Sequence, residues 1–202
     1  WKNAHWSLLA GVRMDKHNLI SRAIFSPRVN IRYSPFRDLS FRLIYAGGFR
    51  APQAFEEDLH ILMVGGERTR ILLADNLKEE RSHSFSLSGD WYHSFGTLQL
   101  NLMAEGFLTL LKDTYALRKT GQMADYGMST ITERYNGPGA KVFGATLEGK
   151  LSIGSNMSLL AGIKNIFNSY QKDFDQGELR DSGYIYGPSL PRSIVVGTGL
   201  KF

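Results

Sequence analysis

The sequence contains no cysteine, so disulfide bonds, thiolate catalysis and thiolate metal ligation are unavailable to the chain. It also lacks any run of the ~18 consecutive apolar residues that a membrane helix requires, and any contact with a membrane must therefore come through strands. No initiating methionine, basic leader segment or apolar leader core opens the chain, which begins at Trp1. We expect the sequence to be a piece of a longer protein.

Clusters of basic residues are missing as well. The net charge is +5, but the basic residues are dispersed singly along alternating segments, which argues against nucleic-acid binding. No pair of histidines has a metal-ligand spacing, and no Ser, His and carboxylate residues have the spacing of a hydrolase site. The sequence therefore predicts no resident metal or cofactor and no enzyme. The five histidines are His5, His17, His60, His83 and His93.

Period-two alternation is the dominant pattern that the sequence does contain. Residues 39–48 place Leu, Phe, Leu, Tyr and Gly at odd positions and mainly polar or small residues at even positions. Pro52 then ends the strand, because proline has no N–H for a strand ladder. The acidic segment Glu56-Glu57-Asp58 follows, so we expect a solvated loop.

The same alternation recurs in eight segments with one apolar face each. Short turns are predicted near residues 34–38, 94–97 and 154–156, whereas residues 50–80, 120–140 and 165–191 read as long loops. Short and long connections in alternation are typical of an antiparallel up-and-down transmembrane β-barrel, an all-β fold. The predicted strands cover residues 6–15, 24–33, 39–48, 82–92, 98–110, 142–153, 157–164 and 193–202.

Charged residues share the polar face of these predicted strands. They would be costly inside a packed soluble core but are stable against a water-filled lumen. A soluble β-sandwich remains an alternative, because its strands also have one apolar and one polar face. The predicted lumen-facing residues are Arg13, Arg28, Arg32, Arg42, Glu105, Glu148, Lys150 and Lys164.

Several short motifs follow one another along the chain. Two are the boxes Phe49-Arg50-Ala51-Pro52 and Asn76-Leu77-Lys78-Glu79-Glu80. The others are Gly11-Val12-Arg13, the segment 162–168 (GIKNIFN) and the terminal Phe202. In their order these motifs resemble those of the TonB-dependent outer-membrane receptors, in which the two boxes flank a loop, and the resemblance covers nearly the whole chain.

The resemblance implies a barrel of about 22 strands around a plug, located in the bacterial outer membrane. Residues 1–202 would be its last eight strands, with the plug and the N-terminal strands absent. The family imports scarce ligands such as ferric siderophores, haem or cobalamin. Its partners are the outer-membrane lipid, the TonB complex (through the plug) and the barrel assembly machinery, which recognises a terminal residue such as Phe202. The short turns would then be periplasmic and the long loops extracellular.

The resemblance also implies a ligand-binding role for the loop between the two boxes. Candidate ligand-binding residues are Arg50, His60, Arg68 and Arg70, and haem receptors of the family place a ligand histidine where His60 stands. Two further functions stay open. One is a self-contained eight-stranded barrel acting as a passive porin or adhesin, and the other is an outer-membrane enzyme of barrel form.

Overall fold

The computed structural model of the chain describes residues 1–18, 20–52, 68–124, 126, 129–173, 176 and 187–201. Eleven strands lie within these residues. No helix in this part of the chain is long and apolar enough to cross a membrane. The strands are β1 Trp6–Asp15, β2 Ile24–Phe36, β3 Leu39–Arg50, β4 Arg68–Leu73, β5 Glu80–Phe95, β6 Leu98–Lys112, β7 Tyr115–Ala124, β8 Ser129–Asn136, β9 Ala140–Ile153, β10 Met157–Lys164 and β11 Ser193–Leu200.

Eight of the strands form one sheet, which we call the main sheet. Its order is β1-β2-β3-β5-β6-β9-β10-β11, and every neighbouring pair is antiparallel. These strands correspond to the eight predicted segments. Within the described residues β1 pairs only with β2 and β11 only with β10, so the sheet is open at both edges. The all-β, up-and-down prediction is confirmed, and an open sheet is what part of a larger barrel would have.

Three strands that the sequence did not reveal form a separate small sheet, in the order β4-β8-β7. β4 runs parallel to β8, and β7 runs antiparallel to it. The prediction that residues 120–140 are a loop was therefore wrong, and so was the prediction that the connection 50–80 has no strand. In β8 the two faces carry Thr130 and Thr132 on one side and Ile131 and Glu133 on the other, so no apolar stripe was visible.

The connections separate the two ends of the main sheet. Three short turns, at residues 37–38, 96–97 and 154–156, lie at one end, which we call the short-turn end. Gly96 and Gly154 have positive φ angles of 60° and 58°, a conformation that glycine adopts without the strain that a Cβ would add. The connections 16–23, 51–79, 113–139 and 165–192 lie at the opposite, long-connection end. The predicted alternation of short and long connections is confirmed.

The register gives the main sheet two different faces, because residues opposite each other in antiparallel strands point the same way. On one face Leu43 pairs with Leu87, and we call this the apolar face. Its side chains are uncovered: Leu87 is 58% exposed and Val196 76%. Among the described residues only five apolar side chains are buried, namely Ile20, Ile24, Pro52, Ala74 and Tyr115. A soluble sandwich would instead bury one face against a second sheet, so that alternative is not supported.

Candidate functional site

The opposite, polar face of the main sheet brings the predicted lumen residues together. Arg32 lies opposite Arg42, which lies opposite Ser88, which in turn lies opposite Glu105. The pairing continues through β9, where Lys150 lies between Asn101 and Leu160 of the neighbouring strands and Glu148 lies between Met103 and Gly162. All eight predicted residues thus share one face: Arg13, Arg28, Arg32, Arg42, Glu105, Glu148, Lys150 and Lys164.

Positive charge dominates this polar face. Arg28, Arg32 and Arg42 are exposed, and within the described residues none of the three has an ion-pair partner. Like charges directly opposite each other, such as Arg32 and Arg42, destabilise a sheet unless water or an anion separates them. On the other strands Lys164 lies 3.8 Å from Glu148, at the edge of ion-pair distance. The face is therefore suited to a wet compartment that attracts anions.

The two sequence boxes meet at the long-connection end. Arg50, in the first box, ends β3, and Glu80, the last residue of the second box, begins β5 directly opposite it. The phenol of Tyr115 lies between them: its oxygen accepts from the Glu80 N–H at 3.2 Å and donates to the Arg50 carbonyl at 2.9 Å. The Glu80 carboxylate in turn accepts from the Tyr115 N–H at 3.2 Å. Tyr115 thereby joins the loop-side ends of β3 and β5 to β7.

Burial changes the chemistry of this phenol. Tyr115 is only 3% exposed, and its burial raises the pKa of the phenol to about 12. Its ring also faces the Arg50 guanidinium, whose carbon lies 5.7 Å from the ring centroid. The phenol stays protonated at physiological pH and acts as a fixed hydrogen-bond bridge between the boxes.

A second contact ties the β1–β2 connection to the second box. The buried carboxylate of Glu79 accepts from Arg22 at 2.7 Å and from Arg81 at 2.7 and 2.9 Å, all on the same oxygen. Burial by itself would raise the pKa of Glu79, but the hydrogen bonds from Arg81 and Arg22 outweigh it and hold the pKa below its ordinary value. Glu79 is therefore ionised, and it links the β1–β2 connection, through Arg22, to the start of β5, through Arg81.

Asn136, at the end of β8, anchors the small sheet to the same region. Its side chain accepts from the Lys78 N–H at 2.8 Å and donates to the Lys78 carbonyl at 3.1 Å. It also donates to the Asp113 carbonyl at 2.8 Å. The second box is thus fixed from three sides, by Asn136, by Tyr115 and by the two arginines on Glu79.

The predicted ligand-binding residues are distributed over both sheets. Arg50 lies in the main sheet beside Tyr115, whereas Arg70 is an exposed residue of β4, opposite Ile131 of β8. The backbone of Arg68 pairs with Ser129 at the start of the same ladder. His60 lies outside the described residues, as does the predicted assembly signal Phe202. The shared role of the four residues in ligand binding therefore stays a prediction.

Sequence patterns missed the residues that hold the long-connection end together. Asn136 fell in a predicted loop, and Tyr115 and Arg22 fell outside every predicted strand. Their partners are far away along the chain, since Tyr115 is 65 residues from Arg50. Glu79 was visible as part of a box, but nothing in the sequence identified its two cations. Within the described residues, no group of three or more His, Asp or Glu side chains is arranged to hold a metal ion.

A recess at the same end offers a small volume for a ligand or for another loop. It measures about 260 Å³ and lies between the start of β9 and the connection that follows β10. Among its lining residues are Lys141, Tyr170, Gln171 and Asp173, so it is mainly polar. The long-connection end thus combines fixed loop bases with a polar recess.

Comparisons with known proteins agree with this arrangement. The model of the family described as TonB dependent receptor-like, beta-barrel matches residues 1–200. A comparison with curated proteins gives no match.

Solved structures of similar fold include three receptors or transporters. The FrpB iron transporter from Neisseria meningitidis (F5-1 variant) has a TM-score of 0.58 at 19% identity, over 81% of this chain and 24% of its own. The siderophore receptor PirA from Acinetobacter baumannii has a TM-score of 0.55 at 19% identity, over 85% and 27%. The siderophore receptor PirA from Pseudomonas aeruginosa has a TM-score of 0.53 at 14% identity, over 99% and 46%.

The chain therefore spans between about a quarter and a half of the length of these proteins. They are transporters and receptors, and none is described as an enzyme. The family match, the open up-and-down sheet and the exposed apolar face lead to one assignment. The chain belongs to the TonB-dependent receptor-like β-barrel family.

Proposed function

We propose that the chain is the C-terminal part of the barrel of a receptor that imports a scarce ligand with energy from the TonB complex. The family implies a bacterial outer-membrane protein, and we propose that this one is an integral, multi-pass barrel. The single observation that carries the proposal is the two-faced main sheet, whose apolar face is uncovered across all eight strands. Lipid would cover that face, and the polar face would line the lumen.

An anionic iron complex is the ligand class that best fits the charges. Six of the eight proposed lumen residues are cations, and Arg28, Arg32 and Arg42 are exposed on adjacent strands. Positive surfaces raise the local concentration of anions and speed their association. FrpB is an iron transporter and the PirA proteins are siderophore receptors. A ferric siderophore carrying net negative charge therefore suits this polar face better than a neutral solute.

The loop between the boxes is the proposed ligand contact at the extracellular mouth. Its two ends are fixed at Arg50 and Glu80 through Tyr115, while Arg70 presents an exposed cation on β4. Loops held by a rigid scaffold are common ligand-binding sites, and the arginines would pair with carboxylate or catecholate oxygens of the ligand.

Haem is the second ligand that we consider, because of His60. A neutral imidazole could coordinate the iron and arginines could pair with the propionates. The test is haem binding by the full-length receptor carrying His60→Ala. Unchanged affinity and an unchanged Soret spectrum would remove haem as a ligand and leave the siderophore proposal standing.

The remaining partners follow from the proposed membrane placement. A plug encoded elsewhere in the full protein would contact the TonB complex, and Phe202 would be recognised by the barrel assembly machinery. A self-contained eight-stranded porin or adhesin is not favoured, since β1 and β11 do not pair with each other in the described sheet. Unpaired strand edges in lipid are costly, so residues 1–202 alone should fail to form a stable monomeric barrel.

Uptake of radioactive iron from a ferric siderophore tests the proposal directly. Cells producing the full-length receptor should accumulate iron only when the TonB complex is present and the inner membrane is energised. Equal uptake without the TonB complex would contradict active import and would support a passive pore.

A further inference from the structure

Cations interrupt the apolar face of the main sheet at one end. Arg81 of β5, Lys112 of β6 and Lys141 of β9 lie on that face, on three adjacent strands. Arg81 is directly opposite Lys112, and Lys141 is opposite Leu110, which places it diagonally beside Lys112. All three lie at the long-connection end. We call these three residues the basic rim.

The two lysines of the basic rim have no carboxylate partner in the described structure. Lys112 is exposed, with no hydrogen bond or ion pair to any described residue. Lys141 is exposed too, and its ammonium lies 5.7 Å from the centroid of the Phe143 ring on the same face. Arg81 shares Glu79 with Arg22, so even this part of the surface has excess positive charge. An external anion would relieve the repulsion between Arg81 and Lys112.

The depth of the rim corresponds to lipid headgroups. From Leu98 to Leu110 the apolar face of β6 runs for twelve residues, or about 41 Å of strand, and a tilt of roughly 40° reduces this to about 31 Å along the membrane normal. An outer-membrane barrel has an apolar band of about 25 Å flanked by aromatic girdles, and Leu98 lies opposite Phe95 at the short-turn end, where such a girdle would be. Lys112 is the next residue on this face, so it lies just beyond the hydrocarbon, where Lys and Arg side chains extend into the headgroup region.

The opposite end of the same strands differs in chemistry. At the short-turn end β5 carries Trp91, His93 and Phe95 on this face. Trp91 stacks on His93 with ring centroids 5.4 Å apart, and His93 meets Phe95 edge-on with centroids 4.2 Å apart. The adjacent residue of β6 is Leu98, and β9 ends with Ile153. On the apolar face, the Lys and Arg residues of these three strands are therefore confined to the long-connection end. Their charge matches an anionic leaflet on that side only.

We propose that the basic rim binds phosphate groups of anionic lipid headgroups in the leaflet at the long-connection end. The proposal rests on the membrane placement given under the proposed function. Hydrogen bonds between ammonium or guanidinium groups and phosphate are charge-assisted and strong. Three cations within neighbouring cross-strand positions can contact one or two phosphates at once. The occupant is a membrane lipid, held by its headgroup while its chains cover Leu110 and Phe143.

The test measures lipid selectivity of the full-length receptor in phosphatidylcholine bilayers. Spin-labelled phosphatidylglycerol and spin-labelled phosphatidylcholine serve as probes, and electron paramagnetic resonance gives the fraction of each that is immobilised on the protein. The key variant is Lys112→Gln with Lys141→Gln. Lys119→Gln is the matched control, because Lys119 is an equally charged, exposed residue of the small sheet. Lys112→Arg with Lys141→Arg keeps the charge.

The wild type should immobilise phosphatidylglycerol more than phosphatidylcholine. Each basic residue near a charged lipid surface strengthens binding about five-fold. Because the immobilised fraction is averaged over the whole lipid shell, the measured preference for phosphatidylglycerol should fall about two-fold or more in the double Gln variant. The control and the double Arg variant should keep the preference. Heat-modifiable electrophoretic mobility checks that each variant is folded, and Lys112→Gln alone replaces the double variant if the latter fails this check.

Three results would overturn the proposal that the basic rim binds lipid phosphate. They are a preference unchanged in the Gln variant, an equal loss in Lys119→Gln, and full competition by millimolar inorganic phosphate, which would indicate a site for free phosphate. The outcome is separable from the proposed function. A receptor that does not insert into bilayers would refute the membrane placement itself. A receptor that inserts and imports iron without a lipid preference would refute only lipid binding by the basic rim.

Discussion

Replacement of Tyr115 by phenylalanine should weaken the junction between the two boxes without disturbing the barrel. The phenol bridges the Glu80 N–H and the Arg50 carbonyl, which belong to the last register pair of the β3–β5 ladder. Phenylalanine keeps the ring, its burial and its position beside the Arg50 guanidinium. The substitution therefore removes one oxygen atom and two hydrogen bonds.

The size of the effect follows from these two bonds. A buried polar group that loses its partner costs about 1–3 kcal/mol, and the 3.2 Å separation from the Glu80 nitrogen indicates that one of the two bonds is weak. We expect the loop-side end of the ladder to open more readily by about 1–2 kcal/mol, which corresponds to roughly 5- to 30-fold. The opening of strands remote from the junction should not change, because the substitution leaves the hydrogen bonds of those strands intact.

Hydrogen exchange of the Glu80 amide, measured by mass spectrometry on the full-length receptor in detergent or nanodiscs, reads this opening directly. Tyr92→Phe is the matched control, since Tyr92 is an exposed residue of the same strand β5. Exchange at Glu80 should accelerate in Tyr115→Phe and stay unchanged in Tyr92→Phe. Equal exchange in Tyr115→Phe and wild type would show that the phenol does not bridge the boxes.

Three further predictions concern pH and facing. The Tyr115 phenol has a pKa raised from 10.0 to about 12, so its stabilising bridge should be complete below pH 10 and be lost as pH rises from there towards 12; a difference titration at 295 nm against Tyr115→Phe checks this. Because the pKa of Glu79 is lowered from 4.5, its stabilising contribution should be present above that pH and be lost as pH falls further. Proteolysis of the β1–β2 connection should increase in acid in the wild type, and Glu79→Gln should show the increase already at neutral pH. Leu102→Arg should destabilise the barrel by ~2–4 kcal/mol in urea unfolding from lipid vesicles, and Glu105→Gln by much less. Equal effects would show that the assignment of Leu102 to lipid and of Glu105 to the lumen is wrong.

The eight strands of the main sheet, and the side to which their residues point, were predictable from the sequence because alternation has a period of two whatever the partner strand is. Ser82 to Tyr92 shows this most clearly, with serines on one face and Phe85 and Leu87 on the other, and the register confirms it. The order of the eight strands also followed, since short turns force neighbouring strands to pair.

Contacts between distant segments were not predictable. The bridge of Tyr115 joins residues 35 and 65 positions away, and no local pattern specifies such partners. The basic rim was missed for a different reason. The predicted strands 82–92, 98–110 and 142–153 each ended one or two residues short of a cation, so Arg81, Lys112 and Lys141 were not assigned to strands. In the structure the β5–β6 and β6–β9 ladders include all three.

The central claim is that lipid covers the apolar face and water reaches the polar face. Because residues 1–202 contain no cysteine, single cysteines can be introduced at Leu102 and Glu105 of β6, in a full-length receptor without other cysteines. Leu102→Cys carrying a fluorescent label should be quenched by brominated lipid, and Glu105→Cys should react quickly with a charged, water-soluble thiol reagent. Lipid quenching at Glu105→Cys together with rapid aqueous reaction at Leu102→Cys would contradict the account.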